Sequence, residues 1–392
     1  MAASASEWKP RARRVGADAR EQMRLAKGHL DAERYDDALA QFEAVLAQNP
    51  EIAMAHVGIG NVHLKQGRYE IALEHFQRAL SIDGDLAAAR VMSGNARLKL
   101  GDTEQALDEF EGALEVDPKL TRAQMRAGQV YAKQGKHAEA EKAFREALRF
   151  NPQLSTARLM LAEACEKQGK MPAAITELQH TIATRPDMRA AHMKLGRLYL
   201  QEKDAGKAVD CFKRVLELAP EHALGSLWLG RSYAALAQYD AAESHLQEAV
   251  RLDPRLSAAR LQLARMYMQR EKYGDALQVL QKAVTNKADS GAAHRLLGDL
   301  HMLQSHYREA VEEYEAAILH SSGLLERSPK LAEVKKMRGG VESKAKAYKK
   351  ALAEAYSELA TARKSSARQE RPRKKRRATR GHQGRRNGAN RD

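Results

Sequence analysis

Residues 53–86 read AMAHVGIGNVHLKQGRYEIALEHFQRALSIDGDL, and this stretch of 34 residues decides the fold. Side chains suited to packing recur at helical spacing in its first part, from His56 to His63. A turn follows around Gly67, and a second helical stripe begins at Ala72. The stretch therefore predicts two helices of about 13 residues each, joined by a short turn.

The same pattern returns every 34 residues, through nine copies between residues 19 and 324, without an insertion or a deletion. A fixed period of this length indicates an array of stacked supersecondary modules. Three slots of the repeat are occupied by Phe42, Phe76, Phe110, Phe144, Leu178, Phe212, Leu246, Leu280, Tyr314 and Tyr348, by Ala38, Ala72, Ala106, Ala140, Ala174, Ala208, Ala242, Ala276 and Ala310, and by Pro50, Gly84, Pro118, Pro152, Pro186, Pro220 and Pro254.

A fourth slot holds a small residue in each repeat, which predicts that the two helices of a repeat approach each other closely at this point. A proline at the end of most repeats stops the second helix and starts the next repeat. The small residues are Gly60, Gly94, Gly128, Ala162, Gly196, Gly230, Ala264 and Gly298.

The pattern Leu-Gly-x-x-Tyr … Ala-x-x-x-Phe … Pro resembles the tetratricopeptide repeat, over about 340 of the 392 residues. The resemblance implies an all-α fold, a right-handed α-solenoid of stacked helix-turn-helix repeats. It also implies that first helices line a concave groove, that second helices form the convex back, and that the protein binds partners without catalysis. Such an array buries its core only through contacts between neighbouring repeats.

The register divides the chain into four segments. Residues 1–18 are expected to be disordered, and residues 19–324 form the nine in-phase repeats. Residues 325–362 look like a degenerate tenth repeat that ends in an extended capping helix. Residues 363–392 contain 13 basic and 2 acidic residues without apolar periodicity, which predicts a disordered basic tail.

The last helix carries apolar residues at alternating spacings of four and three. A capping helix with a polar outer side keeps such arrays soluble. A dimerising coiled coil is the alternative, although the seam is shorter than three heptads. The apolar positions are Val341, Ala345, Tyr348, Leu352, Ala355 and Leu359.

The net charge of +15 is confined to one end of the chain. Residues 1–324 hold 44 basic and 44 acidic residues, whereas residues 325–392 hold 22 basic and 7 acidic ones. The high isoelectric point therefore says nothing about what the repeats bind. The position of the excess positive charge indicates a polyanion-binding tail, for nucleic acid or an anionic membrane surface. The tail candidates are Arg371, Arg373, Lys374, Lys375, Arg376, Arg377 and Arg380.

Motifs for catalysis, cofactors and metals are missing from the sequence. There is no phosphate-binding loop, no nucleophile elbow and no His or Cys pattern with metal spacing. Cys165 and Cys211 are too few for a disulfide framework and fit a reducing compartment. Most histidines fall in packing slots. We therefore expect a protein that is not an enzyme and needs no cofactor.

No apolar run approaches the roughly 20 residues that span a bilayer, and residues 1–14 show no secretory signal. These observations predict a soluble protein of the cytoplasm. Heavy use of Ala and Arg suggests a bacterial source, and in a eukaryote the basic tail would favour the nucleus.

One face of the first helices is not needed for packing against other helices. It lies opposite the slots of His56, Ile59 and His63. Polar residues on this face are amides and lysines in the early repeats and arginines in the later ones. The candidate groove residues are Asn61, Lys65, Asn95, Lys99, Arg122, Arg126, Gln129, Lys133, Lys167, Arg197, Trp228, Arg231 and Arg265.

These residues predict a basic groove for an acidic or carboxylate-bearing segment, because a guanidinium binds carboxylates through two hydrogen bonds. The alternative is that duplication copied exposed residues without a binding role. Asn61, Arg122 and Arg126 match three places of the carboxylate clamp of some tetratricopeptide proteins, but Val57 and Met92 depart from it.

A neighbouring stripe of apolar residues lies between the groove face and the core face. It predicts packing between successive repeats, or else the floor of a groove for an amphipathic helix of a partner. The stripe is Met23, Val57, Val91, Met125, Leu159, Met193, Leu227 and Leu261. Altogether the sequence predicts a protein-binding scaffold. The alternative is a nucleic-acid- or ribosome-associated factor in which the tail is the main binding element.

Overall fold

The computed structural model describes residues 17–285, 290–320, 340–354 and 357, and within these ranges every regular element is an α-helix. The helices are α1 (Ala17–Asp31), α2 (Tyr35–Gln48), α3 (Ala53–Lys65), α4 (Tyr69–Ile82), α5 (Ala87–Leu100), α6 (Thr103–Val116), α7 (Thr121–Gln134), α8 (His137–Phe150), α9 (Ser155–Lys167), α10 (Met171–Thr184), α11 (Arg189–Gln201), α12 (Ala205–Leu218), α13 (Ala223–Ala235), α14 (Tyr239–Leu252), α15 (Ser257–Gln269), α16 (Tyr273–Val284), α17 (Ser290–Leu303), α18 (Tyr307–His320) and α19 (341–354).

The helices pair as the period predicts, an odd-numbered first helix with the even-numbered second helix that follows it. The fold class is therefore confirmed as an all-α solenoid of stacked helix-turn-helix repeats. α1 begins at Ala17, two residues before the predicted start of the array. Residues 1–16 and the tail residues 363–392 lie outside the described residues, so their predicted disorder stays a prediction.

The turn inside a repeat is a link of two or three residues, one of which has the left-handed conformation. At the end of α5 this residue is Gly101, with φ of 89°. The next amide, of Asp102, donates to the carbonyl of Arg97 at 2.9 Å, which closes the helix. The equivalent turns after α3, α7 and α9 use Gly67, Gly135 and Gly169 in the same conformation.

The link between repeats depends on the residue before the proline slot. Asp117 is extended, with φ of −133° and ψ of 93°, because a following proline disfavours helical geometry. Its carboxylate accepts a hydrogen bond from the amide of Lys119 at 3.0 Å. Asp83 accepts in the same way from Asp85. The second helices α2, α4, α6 and α14 therefore end in a side-chain-stabilised turn that starts the next repeat.

The small-residue slot is a point of contact inside each repeat. A Cβ added to Gly94 would lie 2.6 Å from the Phe110 ring, and one added to Gly196 would lie 2.7 Å from the Phe212 ring. Where the slot holds Ala162, the aromatic slot holds the smaller Leu178. The predicted close approach is confirmed, and the two slots complement each other in size.

The described residues divide into two compact halves, one within residues 1–191 and the other within residues 192–392. In the N-terminal half the core includes a series of small clusters, three of which are built around one aromatic slot, such as Phe76 with Val57 and Ala89. In the C-terminal half one large cluster spans α13 to α17, including Leu246, Leu263 and Leu280.

α19 closes the described part of the C-terminal half. Its apolar side, with Ala345, Tyr348 and Leu352, packs against Tyr314 and Val311 of α18. The Tyr348 hydroxyl also donates to the Glu315 carboxylate at 2.8 Å. Three positions of the predicted seam are therefore covered within the chain, which favours the capping interpretation over the coiled-coil dimer. Ala355 and Leu359 lie outside the described residues.

Candidate functional site

The odd-numbered helices form the inner layer in each half. First helices of successive repeats touch one another, as α1 and α3 or α3 and α5 do in the N-terminal half and α13 and α15 or α15 and α17 in the C-terminal half. A stack curves toward the layer whose helices lie closer together. We call the solvent-facing side of the odd-numbered helices the groove face.

In the N-terminal half the amides of the groove face are half-buried and bind nearby sulfur atoms. Asn95 donates to the sulfur of Met92 at 3.8 Å, and Gln129 donates to that of Met160 at 3.5 Å. Asn61 is half-buried as well. These amides therefore serve local packing as much as solvent contact.

The cationic side chains of this half are more exposed to solvent than the amides. Lys65, Lys99, Lys133 and Lys167 are all exposed at the ends of their helices, and so are Arg122 and Arg126, one turn apart on α7. Arg126 donates to the Gln129 amide oxygen at 3.1 Å. Gln129, Lys133 and Lys167 meet around an open pocket of about 290 Å³, which Met160 and Glu163 also line.

In the C-terminal half the predicted residues form a compact group, the arginine–tryptophan cluster of Arg197, Trp228, Arg231 and Arg265. The Arg231 guanidinium lies 4.3 Å from the centre of the Trp228 ring, and that of Arg197 lies 5.4 Å from it. The Phe212 ring packs against the same indole with centroids 6.1 Å apart and planes within 19°. Cation–π attraction and ring stacking hold the indole in place.

The electrostatics of this cluster are unusual, since no carboxylate of the described residues lies within ion-pair distance of its arginines. None of its three arginines forms an ion pair with any residue in the described ranges. Burial, with the charges of Arg265 and Arg197, lowers the pKa of the Arg231 guanidinium below its ordinary value. Burial and the charge of Arg295 do the same for Arg265, whereas Asp299 opposes them. Arg231 and Arg265 remain cations, in a surrounding that disfavours their charge.

The arginine row ends at the next repeat, where the slot holds Asp299. Its carboxylate accepts from the Tyr314 hydroxyl at 2.9 Å and lies 3.4 Å from the Lys349 ammonium of α19. Asp299 is therefore engaged by α18 and α19 and does not neutralise Arg231. The cluster is bounded on this side by a residue whose charge is already matched.

The apolar stripe is only partly buried. Val57, Val91 and Leu227 lie among core residues, while the other five members are half-buried, namely Met23, Met125, Leu159, Met193 and Leu261. The predicted packing role is confirmed for the buried members. The half-buried ones leave some apolar surface on the groove face.

Two residues next to the cluster were not predicted. Leu224 is 45% exposed and lies one helical turn before Trp228 on α13. Its slot also holds the equally exposed Met54 in the second repeat, a signal that was present in the sequence. Phe212 was predicted only as an occupant of a repeat slot, and its contact with Trp228 depends on a tertiary approach that periodicity does not report.

Residues that suggest chemistry elsewhere are packing residues. Cys165 and Cys211 are buried, and burial raises the pKa of the Cys211 thiol to about 12, so it stays protonated. Most histidines are half-buried between helices, as predicted, and His56 lies 3.3 Å from His75 between their Nδ1 atoms. Among the described residues no group of three or more His, Cys, Asp or Glu side chains is arranged to hold a metal ion.

None of the helices in the described ranges is long and apolar enough to cross a membrane. No curated protein matches the chain significantly.

Solved structures that are similar to the chain include the C-terminal part of a tetratricopeptide repeat-containing protein from Cytophaga hutchinsonii. It is 16% identical over 60% of this chain and 97% of that one, with a TM-score of 0.51. YrrB, described as a TPR protein with an unusual peptide-binding site, is 25% identical over 48% of this chain and 96% of its own, with a TM-score of 0.44. PilF of Pseudomonas aeruginosa is 20% identical over 52% and 92%, with a TM-score of 0.45.

Two models of the tetratricopeptide repeat match most of the array. One covers residues 23–87 and 91–155, and the other covers 131–198, 199–254 and 233–300. Proteins with this repeat are generally protein-interaction scaffolds and typically are not enzymes. The period, the paired helices and these matches agree, and the chain belongs to the tetratricopeptide repeat family.

Proposed function

We propose that the protein is a non-enzymatic scaffold that binds a peptide or a helix of a protein partner on its groove face. The observation that carries this proposal is the difference between slots on the odd-numbered helices. Packing slots are buried in repeat after repeat, while the groove slots hold exposed cations such as Lys99 and Arg265. Exposed charges that the fold does not need are available to a partner.

A photo-crosslinking amino acid tests this proposal. Placed at Lys99 or at Arg265, it should capture a partner from cell extract. The matched controls are Lys142 of α8 and Lys213 of α12, which are exposed on even-numbered helices. Capture from the even-numbered helices with none from the odd-numbered ones would overturn the proposal.

We also propose that the basic tail tethers the scaffold to a polyanion. The support is its composition, 13 basic residues against 2 acidic ones in residues 363–392. Binding through phosphate contacts should weaken steeply with salt, with a log–log slope of about −7 on duplex DNA if about 8 phosphates are engaged. Deleting residues 363–392 should abolish retention on DNA or anionic vesicles and leave capture by the groove intact.

The alternative is a nucleic-acid- or ribosome-associated factor in which the tail is the main binding element. The tail deletion separates the two functions. Loss of the crosslinked partner together with the tail would favour this alternative and reject the groove as an independent binding site.

A further inference from the structure

The arginine–tryptophan cluster presents three cations, one from the same slot of each of three successive repeats, and two of them, Arg197 and Arg231, lie over one indole ring. We propose that this cluster is the anchoring subsite of the groove and that it binds at least two carboxylate side chains of a partner peptide that also carries an apolar residue. The proposal rests on the proposed function and names the chemistry of the partner.

The chemistry favours carboxylates because of how the guanidinium groups are placed. A guanidinium that lies over an aromatic ring uses its flat face for the ring and leaves its N–H edge for acceptors. That edge matches the two oxygens of a carboxylate. Arg197 and Arg231 both lie over Trp228, so the same ring orients two such edges.

The charge balance points the same way. Arg197, Arg231 and Arg265 lack an ion-pair partner among the described residues, and Arg231 is half-buried. A partly desolvated cation next to like charges gains more from an incoming anion than an exposed cation does. By contrast, Arg126 of the N-terminal half already binds Gln129.

The surroundings favour a peptide over a nucleic acid. Base stacking needs an uncovered aromatic face. The Trp228 ring is in contact with Phe212, Arg231 and Arg197, so it does not offer one. Leu224, one turn away on the same side of α13, offers exposed apolar surface that suits an aliphatic side chain.

The test uses the fluorescence of Trp228 in the full chain, with Trp8→Phe introduced so that Trp228 is the only tryptophan. The probe is a short amidated peptide of glutamate, leucine and alanine, and the matched probe has glutamine in place of glutamate. The glutamate peptide should change the fluorescence saturably, and the glutamine peptide should bind at least about 10-fold more weakly, the usual effect of losing charged hydrogen bonds.

Two variants of the cluster test whether geometry or charge alone is needed. Arg231→Gln and Arg231→Lys should both weaken the glutamate peptide, each by roughly 10-fold, because lysine keeps the charge and loses the fork. The control is Arg251→Gln on α14, which removes one positive charge from an arginine that pairs with Glu248 at 2.6 Å. Circular dichroism of each variant verifies that the helices persist.

Unchanged affinity in Arg231→Lys would overturn the proposal, since any cation would then suffice. An equal or larger fluorescence response to inorganic polyphosphate or oligothymidine would overturn it in favour of a general polyanion site. Either result leaves the groove function standing if the crosslinker at Lys99, which lies outside the cluster, still captures a partner, so failure of the subsite is distinguishable from failure of the groove.

Discussion

The two halves of the protein make the same inner turn with different residues. In the N-terminal half the left-handed position holds Glu33 in the first repeat, with φ of 57°, and Gly67, Gly101, Gly135 and Gly169 in the next four. In the C-terminal half the equivalent positions hold Lys203, Ala237, Glu271 and Ser305, with φ between 58° and 63°. A side chain with a Cβ costs about 1–2 kcal/mol in this conformation, so neighbouring contacts must impose it on the C-terminal half.

Their groove faces differ as well. The N-terminal half offers separate lysines and amides that bind methionine sulfur, whereas the C-terminal half gathers its cations around Trp228. The backbone is the same in both, so the fold does not determine what the groove binds. Among the described residues, four of the five non-glycine turns lie in the same half as the arginine–tryptophan cluster, which makes the C-terminal half the more specialised region of the array.

The largest effect should come from breaking the cap of the C-terminal half. Leu352 is fully buried against α18, and Leu352→Ala should destabilise this half by about 2–5 kcal/mol. Hydrogen exchange measured by mass spectrometry should show faster exchange in α17 and α18 and no change in α1 to α6, because a stacked array is stabilised by nearest neighbours.

Val341→Ala, at a residue that is 47% exposed on the same helix, is the control and should have little effect. If α1 to α6 lost protection together with α18, the two halves would form one cooperative whole, and the distinction between them would fail.

Enlarging the small-residue slot next to the aromatic slot should destabilise the two halves by similar amounts. Gly94→Ala and Gly196→Ala would each force a methyl group against an aromatic ring, at a cost of about 1–3 kcal/mol. Adding Phe110→Leu to Gly94→Ala should recover part of the loss, since Ala162 with Leu178 already uses this combination. Urea unfolding of the single and double variants measures the coupling.

The Gly196→Ala variant of the C-terminal half has a further expected result. Gly196→Ala should also weaken binding of the glutamate peptide, because Phe212 touches Trp228 as well as the small-residue slot. For the N-terminal pair, additive changes in the free energy of unfolding in the double variant Gly94→Ala with Phe110→Leu would show that the two slots do not contact each other as described.

A smaller effect should distinguish the turns. Ala237→Gly should stabilise the C-terminal half by about 0.5–1 kcal/mol, since glycine adopts a positive φ without strain. Gly101→Ala should destabilise the N-terminal half by about 1 kcal/mol for the same reason. Gly274→Ala in helix α16, which has open space around it, is the control and should stabilise. A loss of stability in Ala237→Gly would refute the strain argument.

The smallest effect concerns pH. Burial lowers the pKa values of His56, His75 and His245 below the ordinary 6.5, with neighbouring histidine charges contributing at His75. The unfolded chain therefore takes up protons first as the pH falls, so stability is full above about pH 6.5 and is lost below it. The N-terminal half has two of these rings in contact and should lose more.

Urea midpoints near pH 7.5 and near pH 5.5 measure this loss. His75→Gln should flatten the pH dependence more than His245→Gln does. An equal pH dependence in both variants and in the parent chain would show that the buried rings are not responsible.

Much of the fold could be predicted from the sequence, because the same pattern of apolar and small residues recurs every 34 residues. Each copy of the repeat therefore indicates the same packing positions. The turn positions were readable too, because Lys203 and Ala237 follow the slot of Gly67. The predicted groove residues Arg197, Trp228, Arg231 and Arg265 proved to be neighbours. The contact of Phe212 with Trp228 could not be predicted, because it joins two repeats through side-chain packing that helical spacing does not describe.

The contact between the small slot and the aromatic slot also bears on how such an array grows. Gly94 and Phe110 lie in the same repeat, so any duplication of a whole repeat transmits both halves of the match together. A recombination point between them would instead separate a large ring from the space that accommodates it. Inheritance by whole repeats therefore preserves packing without selection at each new copy and leaves groove positions such as Arg231 free to diverge.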